Sequence, residues 1–95
     1  MIVNRRTFIA KPGQLQRAAE ILKSGLVFVP YQPNYRIYIS EIAPFSLVAL
    51  EIEFKDLAEY ELFWNGTTEK LTEDWWQVWF SVTDNGGQNE IWKLA

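Results

Sequence analysis

The chain has 95 residues, of which 48% are hydrophobic and 16% aromatic, and its formal net charge at pH 7 is -3. This composition excludes a disordered chain and predicts a single globular domain, residues 1–95. Nucleic acid is not an expected partner, because phosphate binding requires a concentrated Lys/Arg patch and the chain has none. The absence of Cys and His excludes disulfides, thiolate chemistry and the usual zinc sites.

Neither a membrane nor a cofactor is indicated by the sequence. No hydrophobic segment is long enough to span a bilayer, and the N-terminus lacks the apolar region of a signal peptide. Together with the absence of Cys, this predicts a soluble cytoplasmic protein that holds no metal and no organic cofactor.

The first predicted elements are a strand and a helix. Residues 2–9 alternate in polarity, and one face of this strand carries Ile2, Asn4, Arg6 and Phe8. Residues 11–13, Lys-Pro-Gly, end the strand because proline lacks a backbone donor and glycine permits a turn. Apolar residues then recur at helical spacing over residues 15–22, and Gly25 is predicted to end that helix.

The middle of the chain predicts two further strands. Residues 26–34 are apolar but contain Pro30 and Pro33, which favours a connecting segment over a strand. Residues 35–40 alternate and predict the second strand, and the loop 41–44 predicts a hairpin-type connection to a third strand over residues 45–54.

The third predicted strand is apolar on both faces. One face carries Val48, Leu50, Ile52 and Phe54. The other carries Phe45, Leu47 and Ala49, followed by Glu51 and Glu53. Such a strand is expected to be covered on both sides.

The C-terminal part predicts two helices and a strand. Asp56 stands three residues before Glu59, a spacing typical of a helix N-cap. Asn65-Gly66 is predicted to end this helix, and Thr67 or Thr68 to cap the next one. Residues 84–87 predict a turn before a short final strand over residues 89–94.

The order β-α-β-β-α(α)-β predicts an α+β, ferredoxin-like fold: an antiparallel sheet with the helices on one face. The opposite face is predicted to carry Ile2, Phe8, Phe45, Leu47 and Ala49. Burying these side chains is worth on the order of 8 kcal/mol, against a domain stability of about 5–15 kcal/mol. We therefore expect a second copy to cover this face in a homodimer.

Three segments carry a family resemblance: IVNRRTFIAKPG, RIYISEIAPFSLVALEIEFKDLAEYELFW and NEIWKL. They resemble the dimeric α+β barrel superfamily and, within it, NIPSNAP-type domains, which begin with an Arg-Thr-aromatic strand and a Lys-Pro-Gly turn. The resemblance implies a homodimer in which two sheets close a barrel. That superfamily includes cofactor-free monooxygenases and ligand-binding stress proteins. The lack of His departs from its catalytic members, so no His-dependent chemistry is implied.

The candidate ligand-binding residues are those predicted to line the barrel. Glu51 and Glu53 are predicted to share the dimer-facing surface with Asn4 and Arg6. Arg36 and Tyr38 join them if their face of the second strand points the same way, and Trp76 is a further candidate to line a pocket or meet a partner. Two interpretations remain open: a polar, aromatic-walled cavity for a small organic molecule, and a structural ion-pair network inside the dimer.

Two functions are therefore considered. The first, which we favour, is a dimeric binding or structural module without catalysis. The second is a cofactor-independent monooxygenase or isomerase acting on a small aromatic or polyketide-like compound. In that case Tyr38 is the candidate general acid, Arg6 the electrostatic clamp and Glu51 the base.

Overall fold

The computed structural model describes residues 1–26 and 33–95. Within these residues the chain forms β1 (Ile2–Ala10), α1 (Leu15–Leu26), β2 (Tyr35–Ile39), β3 (Leu47–Phe54), α2 (Leu57–Lys70), α3 (Glu73–Val82) and β4 (Thr83–Lys93). The strands form one antiparallel sheet in the order β2-β3-β1-β4. The predicted ferredoxin-like arrangement is thus confirmed, with β1 and β3 in the centre. Most of the predicted connecting segment, residues 27–32, lies outside the described residues.

The core lies between the sheet and the helices. Four alternate residues of β3 are at most 1% exposed: Val48, Leu50, Ile52 and Phe54. They belong to one hydrophobic cluster with buried residues of all three helices, such as Ala18, Phe63 and Trp79. The face of the sheet that carries these β3 residues is termed the helix side. The prediction that this set of β3 residues faces the helices is confirmed.

Side-chain caps determine where α2 and α3 begin. The Glu59 backbone N–H donates to Oδ1 of Asp56 at 3.0 Å, which confirms the predicted cap of α2. The cap of α3 is Thr72, whose Oγ1 accepts from the Trp75 backbone N–H at 3.1 Å. Each cap satisfies a backbone donor that has no partner within its own helix.

The predicted break at Asn65-Gly66 is wrong, because α2 continues through it to Lys70. Gly66 does not adopt a positive φ. The hydroxyl of Thr67 does not cap a new helix but donates to the Phe63 carbonyl, one turn earlier, at 2.7 Å. Phe63 and Thr67 are both buried, and their packing offsets the cost of about 1 kcal/mol for Gly66 inside the helix.

Gly25 is also part of a helix, so its prediction as a helix end is wrong. It is buried in the last turn of α1, where the Trp75 indole packs against it. A Cβ at this position would lie 2.8 Å from Cζ2 of Trp75. The indole N–H of Trp75 donates to the Ile21 carbonyl at 3.1 Å, which holds the ring against α1. The glycine is explained by this close approach of two helices.

Gly86 and Gly87 lie within β4, so the turn predicted over residues 84–87 is wrong. Both glycines have φ of 109°, and the pairing of β1 with β4 shifts register between Thr7 and Ile9. A Cβ on Gly87 would collide with the Thr7 carbonyl oxygen. The Gly-Gly pair therefore forms a bulge that allows β4 to run from Thr83 to Lys93.

Candidate functional site

The register of β1 against β3 places Asn4 and Arg6 on the helix side. Asn4 pairs with Ile52 and Arg6 with Leu50, and directly paired residues of an antiparallel sheet point to the same face. The prediction that Asn4 and Arg6 share a face with Glu51 is therefore wrong. The same correction applies to two apolar residues predicted for that face, Ile2 and Phe8.

The face turned away from the helices is termed the open face. The two central strands contribute Val3, Arg5, Thr7, Ile9, Leu47, Ala49, Glu51 and Glu53. Arg36 pairs with Glu51, and Tyr38 with Ala49, so β2 adds both side chains to this face. Four of the seven predicted site residues thus lie together here: Arg36, Tyr38, Glu51 and Glu53.

An ion-pair network crosses the open face. Arg5 donates to one carboxylate oxygen of Glu51 from Nη2 at 2.8 Å and from Nε at 3.1 Å. Arg36 lies 4.0 Å from the other oxygen of Glu51 and 3.8 Å from Glu53. The hydrogen bond to Glu51 raises the pKa of Arg5 above its ordinary value. Glu51 is therefore held between two cations at the centre of this row.

A groove of about 440 Å³ lies beside this network and is open to solvent. It is lined by Arg5, Thr7, Tyr38, Ile39, Ser40, Leu47, Ala49 and Glu51. A second depression of about 250 Å³ shares Thr7 and Leu47 with it and extends to Phe45 and Gln88. The open face therefore offers a continuous, mostly apolar trough with a charged side.

The residues predicted for enzymatic acid-base chemistry do not come together. Tyr38 and Glu51 both line the groove, whereas Arg6 lies on the helix side. The arginine in the groove is Arg5, which the prediction omitted. A strand alternates its side chains, so an Arg-Arg doublet places one guanidinium on each face. That doublet was the sequence signal for Arg5.

Asn4 and Arg6 belong instead to a helix-side polar cluster, formed by Asn4, Arg6, Tyr60, Trp64 and Asn89. Asn4 is 1% exposed and fully hydrogen bonded: it accepts from the Trp64 indole at 2.9 Å and donates to Asn89 Oδ1 at 2.7 Å. The Arg6 guanidinium carbon lies 3.9 Å from the centre of the Trp64 ring. Nη2 of Arg6 and the amide nitrogen of Asn89 each donate to the Tyr60 hydroxyl at 3.3 Å.

Trp76 lies on α3 and does not line the groove. Its ring stacks on Phe80 at 5.6 Å and meets the Trp75 ring edge-on at 5.0 Å. Trp76 is partly buried against the core, while Phe80 is 63% exposed. This candidate is therefore separate from both the groove and the helix-side polar cluster.

Two negative findings apply to residues 1–26 and 33–95. In this part of the chain, no three acidic side chains come together in a way that could hold a metal ion. No helix there has the length and apolar character needed to cross a lipid bilayer.

Comparisons with known proteins give similarity at the level of structure. No protein-family model matches the sequence, and no curated protein matches it. An uncharacterized NIPSNAP domain protein from Burkholderia xenovorans superposes with a TM-score of 0.75 at 14% identity, covering 100% of this chain and 95% of its own. A NIPSNAP family protein from Agrobacterium tumefaciens gives a TM-score of 0.74 at 15% identity, covering 99% of this chain and 92% of its own.

A third similar structure comes from Chloroflexus aurantiacus and is described as a proposed antibiotic biosynthesis monooxygenase. Its TM-score is 0.69 at 11% identity, and the match covers 99% of this chain and 93% of that one. At these identities the comparisons establish the fold and not the activity. The chain therefore has the α+β fold found in NIPSNAP domain proteins and in this monooxygenase-like protein.

Proposed function

We propose that this protein is a homodimeric binding module in which the open faces of two copies close over the groove. The main support for this proposal is the open face itself, where apolar side chains surround the ion pairs of Arg5 and Arg36 with Glu51 and Glu53. Partly exposed apolar residues contribute to it from several strands and a loop, including Tyr38 (48%), Phe45 (62%) and Trp92 (55%). A contiguous apolar surface of this kind is typical of an interaction site.

The charges of the open face favour a second copy as its occupant. Arg5 and Arg36 stand beside Glu51, Glu53 and Glu90, so both signs are present on one surface. A two-fold axis brings the same surface against itself, and a row with both signs can then pair with its own copy. A partner with charge of one sign would be repelled by the like charges in this row.

The size of the face also suits a stable dimer. The described residues measure 35 × 32 × 18 Å, and the short dimension corresponds to one sheet and one layer of helices. Each broad side is therefore large enough for the roughly 800 Å² per partner of a standard interface.

Closure by a second copy would convert the open groove into an internal cavity. A volume of about 440 Å³ falls within the range of about 300–1,000 Å³ that is typical of small-molecule sites. Its wall combines apolar Leu47 and Ala49 with the Tyr38 ring and the Arg5–Glu51 pair. We expect a small organic molecule with an aromatic or aliphatic body and one or two polar groups.

Light scattering after size exclusion tests the dimer. Wild type is expected at twice the chain mass of 11.1 kDa. Leu47→Lys is expected at the monomer mass, because it places a charge in the apolar part of the interface. Leu62→Lys on α2 is the matched control, since Leu62 is 78% exposed and the dimer should persist. A monomeric wild type, or a Leu47→Lys variant that stays dimeric, would contradict the proposal.

Fluorescence titration with 2-naphthol, which is neutral at pH 7, tests the cavity. Saturable binding is expected for wild type and for Arg6→Met, whose substitution lies on the other side of the sheet. Binding should be lost in Leu47→Lys, because the monomer has only an open groove. A dimer that does not bind the probe would favour the structural ion-pair interpretation of this interface.

A further inference from the structure

Arg6 differs from Arg5 and Arg36 in having no anionic partner. Among the described residues, each of those two lies within salt-bridge distance of a carboxylate, and Arg6 does not. Its Nε is buried without a hydrogen-bond partner. A partly buried cation without a counter-charge is unfavourable, and each such group calls for an explanation.

The donor and acceptor of each hydrogen bond around Arg6 can be assigned by starting from the Trp64 indole. An indole N–H can only donate, so the atom of Asn4 that it reaches is the carbonyl oxygen. The amide nitrogen of Asn4 then donates to Asn89 Oδ1 and, at 3.0 Å, to the backbone carbonyl of Glu90. This fixes the Asn89 amide with its nitrogen towards the Tyr60 hydroxyl.

At the end formed by Arg6, Tyr60 and Asn89, the cluster therefore has only hydrogen-bond donors left to offer a ligand. The Tyr60 oxygen accepts from both Arg6 and Asn89 at 3.3 Å, the long end of hydrogen-bond distance. Its own O–H has no acceptor among the described residues. Asn89 is exposed on the edge strand β4, so this end of the cluster is reached from solvent.

We propose that the helix-side polar cluster binds a small aromatic carboxylate. One carboxylate would accept from the Arg6 guanidinium, the Tyr60 hydroxyl and the Asn89 amide, each of which can donate a hydrogen bond. It would also supply the missing negative charge beside Arg6, and a planar carboxylate matches the planar guanidinium. The Trp64 and Tyr60 rings provide the aromatic surface for the rest of the ligand.

This site lies on the opposite side of the sheet from the proposed dimer interface and does not depend on it. The probe for its test is benzoate, and benzamide is the control because it keeps the ring but lacks the charge. In a ¹H–¹⁵N spectrum each of the five Trp indole N–H groups gives one signal, and Trp64→Phe assigns the signal of Trp64. Benzoate is expected to shift the Trp64 signal in a saturable way, whereas benzamide is not.

Two neighbouring arginines give matched variants. Arg6→Met is expected to weaken benzoate binding by about tenfold or more, the effect of losing a charge-assisted hydrogen bond. Arg5→Met should leave binding unchanged, because Arg5 lies on the open face. Tyr60→Phe should weaken binding less than Arg6→Met does. No shift in wild type, an equal response to benzamide, or unchanged binding in folded Arg6→Met would overturn the proposal.

Discussion

Arg5 and Arg6 are neighbours in the chain but lie in opposite environments. Arg5 points to the open face, where its side chain is 45% exposed and bound to Glu51. Arg6 points to the helix side, where it lies over the Trp64 ring without a carboxylate. Because successive side chains of a strand point to opposite faces, a step of one residue separates an exposed ion pair from a cation that lies beneath a helix.

The two faces of the whole sheet also differ in how they are covered. The helix side is closed by α1, α2 and α3 over a continuous core, whereas the open face carries the solvent-exposed groove and the ion pairs. We therefore expect substitutions in the hydrophobic core of the helix side to act on folding. On the open face they should act on assembly and on binding in the groove.

The largest expected effect comes from the buried face of β3. Leu50→Ala should lower the free energy of unfolding by about 2–5 kcal/mol, because Leu50 is 1% exposed and its removal leaves a cavity. Leu47→Ala removes the same atoms from the open face and should cost much less at concentrations where the protein is monomeric. Urea unfolding followed by circular dichroism measures both, and equal losses would contradict the assignment of the two sides.

The next effect tests how closely the helix side is packed. Gly25→Ala should destabilise by about 1–3 kcal/mol, because the new Cβ overlaps the held ring of Trp75. Gly66→Ala is the control, since a Cβ there meets nothing within 4 Å and should stabilise α2 by about 0.5–1 kcal/mol. The same sign for both variants in thermal unfolding would show that the contact between α1 and Trp75 is not tight.

A smaller effect is expected at the start of the helix that covers Arg6. Asp56→Ala should cost about 0.5–2 kcal/mol, because the Glu59 N–H loses its acceptor. Asp56→Asn keeps an oxygen in place and should cost less. Chemical unfolding measures both, and an unchanged midpoint for Asp56→Ala would mean that the cap contributes nothing to α2.

The smallest effect separates the two arginines directly. At concentrations where the protein is monomeric, a double-mutant cycle on Arg5→Met and Glu51→Leu should give a coupling of about 0.2–1 kcal/mol, as for an exposed ion pair. The same cycle on Arg6→Met and Glu51→Leu should give no coupling, because the sheet lies between them. Coupling between Arg6 and Glu51 would show that the register of β1 against β3 is shifted by one residue.

Much of the fold was predicted from local patterns in the sequence. The order of strands and helices, the Asp56 cap and the face of β3 that meets the helices all depend on spacing within about ten residues. Such signals act through backbone preference and side-chain period, which are properties of the segment itself. Alternation also predicted that Glu51 and Glu53 share one face of β3, whereas the pairing of β2 with β3 decided that Arg36 and Tyr38 lie on that same face.

The tertiary structure decided the faces of β1 and the roles of the glycines. The two faces of β1 are alike in sequence: Ile2, Asn4, Arg6 and Phe8 on one, Val3, Arg5, Thr7 and Ile9 on the other. Each set has apolar ends and one arginine, so the strand by itself does not favour either face. Pairing with β3, a distant segment of the chain, settles it by placing Phe8 beneath Trp79 at 5.0 Å. Gly25 and Gly87 likewise serve contacts with distant segments, which local spacing does not reveal.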